Sequence, residues 1–527
     1  MPKDPVSEFA QEEAARAARE PASGAPPPAD RQWFGHPRGL ATLFFTEMWE
    51  RFSYYGMRAL LILFMTAAVT GQNPGLGFPI GKASAIYGLY TGMVYLMALP
   101  GGWVADKLWG ARRAVFVGGC FIAAGHFSLA VPAMAFFYLG LLLIVLGTGL
   151  LKPNVSAMVG DLYPASGTES AARRDAGFSV FYMGINLGAF LGPLACGFLA
   201  ENYDWHWGFS LAGIGMVLGL VQYRLGGKYL RGAGLLPDSG ENRSGLARRT
   251  RRFYVVLGVA GIAGLVLAAL AASGRLAVDL EQVARTLGYS IIGLALAYFA
   301  YVLTAGGHTA LEKKRIVVIF WLFLLSAIFW SGFEQAGSSL NLFAQDLTDR
   351  VVFGWKGGWE APASWLQSVN AFFIVVFAPV FGWLWIWLAR RDANPSIPMK
   401  FALGLLGLAA GFFVLAWGAA NASAEQRVSP AWLIVTYFFH TAGELMLSPV
   451  GLSAVTKLSP RNRVGQMMGV WFVSLSLGNL FAGLVAGQLE TLAPAALFRS
   501  VALTATAAGL LAWLLAPLVR RLTGGVK

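Results

Sequence analysis

The chain has 527 residues, of which 56% are hydrophobic and 13% charged, about half the charged share of a soluble domain. With a mean hydropathy of +0.58 and long unbroken apolar runs, this excludes a cytosolic protein and an outer-membrane barrel, and predicts an all-α polytopic membrane protein. The net charge of +13 implies no nucleic-acid partner, because the basic residues sit in short loops between apolar runs, as in positively charged cytoplasmic loops.

Residues 1–37 are rich in Ala, Pro, Glu and Arg and carry no signal sequence; they read as a disordered cytoplasmic tail with a short polar helix near Glu8–Glu20. Fourteen transmembrane helices follow. Six lie near 39–69, 83–106, 112–131, 134–162, 174–200 and 206–226 and make an N-terminal bundle over 38–227. A basic cytoplasmic linker, 228–252, contains Lys228, Arg231, Arg243, Arg248, Arg249, Arg251 and Arg252. Two spans without deep charge, near 253–273 and 285–307, form an extra hairpin over 253–310. Six more, near 315–344, 363–389, 399–420, 430–457, 464–488 and 496–519, make a C-terminal bundle over 311–520, with a tail at 521–527. Alternate loops are basic throughout, which puts both termini in the cytoplasm of a bacterial inner membrane. Cys120 and Cys196 lie in apolar spans and imply no disulfide framework.

The first span carries the stretch that organises the chain, Thr46–Glu47–Met–Trp–Glu50–Arg51–Phe–Ser–Tyr54–Tyr55. Glu47, Glu50 and Arg51 share one helix face. Each costs roughly 2.5–3.5 kcal/mol at mid-membrane, so the face borders water or a partner. The second span ends in Pro100–Gly–Gly–Trp–Val–Ala–Asp106–Lys107–Leu–Trp–Gly–Ala–Arg112–Arg113, and Pro379–Val–Phe–Gly–Trp383 with Arg390 and Arg391 repeats it weakly in the second half. Two related halves joined by a basic linker fit a rocking transporter. The Asp106, Arg112 and Arg113 loop is similar to the cytoplasmic signature of the major facilitator superfamily.

Lys152 precedes Pro153 in the fourth span, Glu334 follows Trp330 by one turn, and Glu444 follows His440 by one turn. Counting Glu47, Glu50, Glu334 and Glu444 against Arg51 and Lys152 leaves two negative charges in excess. Either a cationic ligand group enters, or carboxylates carry protons, because burial and like charge both penalise the ionised form. Tyr55, Tyr95, Asn186, Asn370, Trp330 and Trp471 sit within apolar spans. Converging on one cavity, they would hold an amphipathic solute bearing amides.

Five motifs together carry a family resemblance: Glu47–x–x–Glu50–Arg51–Phe–x–Tyr–Tyr55, Gly147–x–Gly–x–x–Lys152–Pro, Phe181–Tyr–x–x–Ile–Asn186–x–Gly188, Phe329–Trp330–x–x–Phe–Glu334–Gln, and Gly443–Glu444–x–x–x–Ser448–Pro. Over about residues 38–520 the chain resembles the proton-dependent oligopeptide transporter family. The resemblance implies a major facilitator fold with two extra helices. It implies proton-coupled import of di- and tripeptides, with no metal, no cofactor other than the coupling proton and no enzymatic step. By residue, it implies that Arg51 and Lys152, with Tyr55 and Tyr95 nearby, hold the peptide carboxylate. Asn186, Asn370 and Glu444 would hold the amino terminus, and Trp330 and Trp471 would shape side-chain pockets. Glu47, Glu50 and Glu334 would serve proton coupling and gating, Glu334 pairing Arg51 or Lys152 when no peptide is bound. The second-span histidine of animal members has no equivalent here, and His440 is a departure that reads as a structural histidine.

Rival readings are transport of nitrate or another small anion, and export of a peptide-like drug. An anion site has no use for Glu444. A membrane enzyme or receptor is the distant alternative; no HExxH, GxSxG or P-loop is present.

Overall fold

A computed structural model describes residues 32–163, 168–236, 243–351, 359–423 and 425–524. The tail before Gln32, with its expected short helix, and the last three residues lie outside the described residues. A two-stranded antiparallel hairpin, β1 (Gln32–Trp33) and β2 (His36–Pro37), precedes the helices. It packs Trp33 against the tilted rings of Phe44 and Phe45 at the start of the first helix.

Fourteen membrane-length helices follow among the described residues. The first six are α1 (Gly39–Thr66), α2 (Ile80–Leu96, continuing through Ala98–Val104 and a single wide turn at Ala105–Trp109), α3 (Ala111–Leu129), α4 (Met134–Asp161), α5 (Thr168–Asn202) and α6 (Trp205–Gly226). The extra pair is α7 (Arg243–Ala272) and α8 (Leu280–Ala305). The last six are α9 (Ala310–Phe333, then a 3-10 turn Glu334–Gly337 and Ser339–Asp346), α10 (3-10 turn Ala363–Gln367, then Ser368–Ala389), α11 (Ile397–Ala420), α12 (Ala431–Leu458), α13 (Val464–Ala486) and α14 (Pro494–Leu522). Ten of them are long and apolar enough to cross a membrane on length and composition alone. α1 falls short because it carries Glu47, Glu50, Arg51 and Arg58. α7 begins at Arg243, so the second part of the stretch read as linker is helical.

Without water to drive helices together, close packing depends on small residues. The glycines of the Lys152 motif do this in two directions. A Cβ on Gly147 would lie 2.5 Å from the Gly118 carbonyl oxygen on α3, and one on Gly149 would lie 2.7 Å from the Met97 carbonyl oxygen on α2. Gly188 lets α5 meet α1, where a Cβ would lie 2.2 Å from the Met48 oxygen. Gly88 and Gly483 do the same between α2 and α13, across the two halves.

The hydrogen bonds and ion pairs joining the two bundles concentrate in the half away from the basic loops. Asn341 donates to the Ala59 carbonyl at 2.8 Å, Ser476 to Gly92 at 2.7 Å, Trp365 to Leu194 at 2.9 Å and Ser368 to Phe190 at 2.8 Å. α9 breaks at Ser338, whose φ and ψ are −127° and −95°. Irregular backbone at this depth is tolerated where protein or a wet cavity satisfies it, and a short 3-10 stretch inside a helix often marks a hinge. Glu334 stands at that break.

Candidate functional site

The charged stripe on α1 folds onto itself first. Arg51 Nε donates to Glu47 Oε1 at 2.9 Å and lies 2.5 Å from Glu50 Oε2. Glu47, Glu50 and Arg51 are nearly inaccessible, at 2%, 0% and 3% exposure. The tight triad is incomplete: Arg51 Nη2, Glu47 Oε2 and Glu50 Oε1 have no hydrogen-bond partner among the described residues. An orphaned guanidinium N–H deep in the protein suits a guest oxygen or a water.

Lys152 comes from α4 and rests its ammonium on the Tyr95 ring of α2, 4.0 Å from the centroid. It lies within electrostatic reach of Glu47, Glu50, Arg51 and Glu334. Pro153 follows it inside the helix, where the ring removes a backbone bond and loosens the turn.

The second half supplies Glu334, Glu444 and Asn370. Asn370 on α10 donates to Glu444 Oε2 on α12 at 3.3 Å and to Thr441 at 2.9 Å. Glu444 is within reach of Glu334. Tyr55 lies within electrostatic reach of Arg51 and Arg58 on its own helix and of Glu334 and Glu444 on the other bundle. Tyr182, halfway along α5, is 42% exposed yet faces the charge of Glu444. Tyr55, Tyr95, Lys152, Asn370 and Glu444 are also partly exposed, although each sits inside a membrane-length helix. Partly exposed polar groups from both bundles, within electrostatic reach of one another, suit a shared chamber between the bundles.

The family model described as POT family matches residues 112–497. The chain belongs to the POT family. It is 44% identical over 473 residues to the peptide transporter YePEPT of Yersinia enterocolitica, covering 88% of this chain and 90% of that one. It is 38% identical over 450 residues to the di-/tripeptide transporter of Lactococcus lactis subsp. cremoris, covering 84% and 88%. A crystal structure of the peptide transporter POT in complex with sulfate matches with a TM-score of 0.83 at 40% identity, over 97% of this chain and 99% of that one. The POT fold is thus of the major facilitator type, two six-helix bundles with an added pair.

In this POT-family chain the partner of Glu334 differs from the sequence expectation. Arg58 Nη2 lies 2.5 Å from Glu334 Oε2, while Arg51 is engaged with Glu47 and Glu50 and Lys152 with Tyr95. Arg58 also donates from Nε to the Tyr87 hydroxyl at 2.5 Å, and lies over the Tyr55 and Tyr87 rings at 5.7 and 5.9 Å. Gly337 makes room for this knot: a Cβ there would collide with the Tyr87 oxygen and stand 3.0 Å from Arg58 Nε. Sequence reasoning passed over Arg58, although it follows Arg51 by two turns on the same face. Counting it changes the balance to four carboxylates against three cations, an excess of one negative charge rather than two.

The amide and aromatic positions divide. Asn186 is 4% exposed and donates back to the Tyr182 carbonyl at 2.9 Å. Trp330 is 7% exposed, held by Phe333 at 5.2 Å, with its indole N–H unpartnered among the described residues. Trp471 is packed into the space left by Gly451 and against Phe401. His440 is buried in a slot that Gly411 opens, with Phe412 at 4.8 Å. In the loop signature, Arg112 donates to the Ala233 carbonyl at 2.6 Å and to Arg231, pinning the chain after α6 to the α2–α3 turn. Arg113 covers Trp109 at 5.2 Å, and Asp106 is exposed.

Proposed function

We propose that this chain is a proton-coupled symporter that imports di- and tripeptides across the bacterial inner membrane by alternating access. One observation carries the reading: Arg51 on one bundle and Glu444, bonded to Asn370, on the other both lie within electrostatic reach of Tyr55, and Lys152 and Glu444 both lie within reach of Glu334. A short peptide is a zwitterion. Its carboxylate suits a guanidinium and an ammonium, and its ammonium suits Glu444. Tyr95 and Tyr55 flank the carboxylate end, and Asn186 and Asn370 meet amino-terminal or backbone polar groups. Trp330 and Trp471 bound the space for variable side chains. Apolar, forgiving walls give broad selectivity.

A zwitterion gains nothing from the membrane potential. One accompanying proton adds about 2.3 kcal/mol per 100 mV, roughly fifty-fold accumulation. Glu334, Glu47 and Glu50 are the proton-coupling groups in this reading. Glu334 bridges to Arg58 on the other bundle, so protonating it removes a charge pair that favours one arrangement of the bundles. With the basic loops cytoplasmic, the cross-bundle bonds close the outer side and the chamber opens inward. No bond is made or broken in the substrate, so the protein acts as a transporter and not as an enzyme.

The test is uptake of labelled dialanine into proteoliposomes with an inward proton gradient. Unlabelled tripeptide is expected to abolish uptake at millimolar excess while nitrate leaves it unchanged. Competition by nitrate and not by peptide would contradict the reading.

A further inference from the structure

We infer that Glu201 is the latch of the outer side, and that it works by capping a helix of the opposite bundle. This rests on the alternating-access reading above. α10 starts without a cap of its own: its N-cap residue is Pro362, which has no side-chain acceptor and makes no capping bond. The first N–H groups of a helix need partners. Here they find one in trans. Glu201, in the last turn of α5, accepts from the Ala363 N–H at 2.7 Å, from the Ser364 N–H at 3.0 Å and from the Ser364 hydroxyl at 2.5 Å. Both carboxylate oxygens are used.

The surroundings are built for this contact. A Cβ on Gly197, one turn before Glu201, would lie 2.0 Å from the Ser364 hydroxyl oxygen, so only glycine lets α5 approach this closely. Arg350 Nη1 stands 3.9 Å behind Glu201 Oε2. The same arginine ties down the segment that leads into α10: it pairs with Glu360 at 3.0 Å and its carbonyl accepts from Ala361 at 2.9 Å. Arg427 holds Glu360 from the other side at 2.7 Å. The C-terminal bundle thus presents a fixed, uncapped helix start with a cation beside it, and the N-terminal bundle supplies the anion. A carboxylate at a helix N-terminus gains from the aligned peptide dipoles as well as from its hydrogen bonds.

When the outer side opens, α5 and α10 separate. Glu201 then loses its donors, and the first N–H groups of α10 lose their acceptor. A contact made in one state only shifts the population toward that state by its own free energy. Glu201 therefore holds the inward-open arrangement without touching substrate, and it is a positioning residue.

Spin labels at Val69→Cys and Leu492→Cys, one exposed outer position on each bundle, in a Cys120→Ser background, read the outer separation by double electron–electron resonance. Glu201→Ala is expected to raise the ratio of long to short distances ~10-fold, the worth of one helix cap. Glu201→Gln, which keeps an acceptor and loses the charge, is expected to fall between Glu201→Ala and wild type. Ser364→Ala added to Glu201→Ala is expected to add nothing, because both remove one interaction. An unchanged distance distribution in Glu201→Ala overturns the proposal, and so does full additivity with Ser364→Ala. If Glu201→Ala does not fold, Glu201→Gln and Ser364→Ala are read against wild type by the same criterion. Peptide uptake by wild type is measured in parallel; its failure counts against the transport reading and leaves the latch to the distances.

Discussion

Replacing Arg58 with leucine is expected to harm the protein more than replacing Arg58 and Glu334 together. The pair is 6% and 3% exposed and joins the two bundles at 2.5 Å. Removing one partner of a buried pair leaves an uncompensated charge and typically costs about 3–5 kcal/mol, whereas an apolar replacement of both is often neutral. Arg58→Leu also strands the Tyr87 hydroxyl that Arg58 now engages. Thermal unfolding in detergent is expected to drop by several degrees for Arg58→Leu and to recover in Arg58→Leu/Glu334→Leu. Function separates the variants differently. Glu334→Gln imitates the protonated carboxyl, so gradient-driven uptake is expected to fall more than tenfold while peptide counterflow, which needs no net proton movement, persists. Wild-type accumulation by Glu334→Gln would remove Glu334 from the coupling machinery.

Glu444→Gln is expected to abolish recognition of the peptide amino terminus and nothing else. Glu444 is held in place by Asn370 and is partly exposed inside its helix. Truncating one member of a buried charge pair at a binding site costs about 2–5 kcal/mol, a loss on the order of 30-fold or more in affinity. Competition binding should show that loss for dialanine. An N-acetylated dipeptide has no ammonium to lose, so wild type and Glu444→Gln should bind it equally weakly. Equal loss for both ligands would mean that Glu444 shapes the chamber without meeting the amine.

The charges inside the spans were legible because charge in an apolar span has few innocent explanations. Glu47, Glu50, Arg51, Lys152, Glu334 and Glu444 stood out for that reason, and spacing placed the first three on one face. Who pairs with whom was not legible. Glu334 meets Arg58 because α9 breaks at Ser338 and α1 crosses it there, and no periodicity in either helix encodes that crossing. Helix ends were blurred for a related reason: polar arginines at 243–252 read as linker, yet arginine is a good helix former and α7 begins among them. The trans cap on α10 was invisible as well. Pro362 signals a helix start, but the missing acceptor is 161 residues away on Glu201.

The most direct test of the account is charge movement on a solid-supported membrane bearing the reconstituted protein. Adding dialanine, which carries no net charge at neutral pH, is expected to drive positive charge in the direction of peptide entry, and Glu334→Gln is expected to reduce the current to the binding transient. Peptide accumulation without net charge movement, or current evoked by nitrate and not by dialanine, would contradict it.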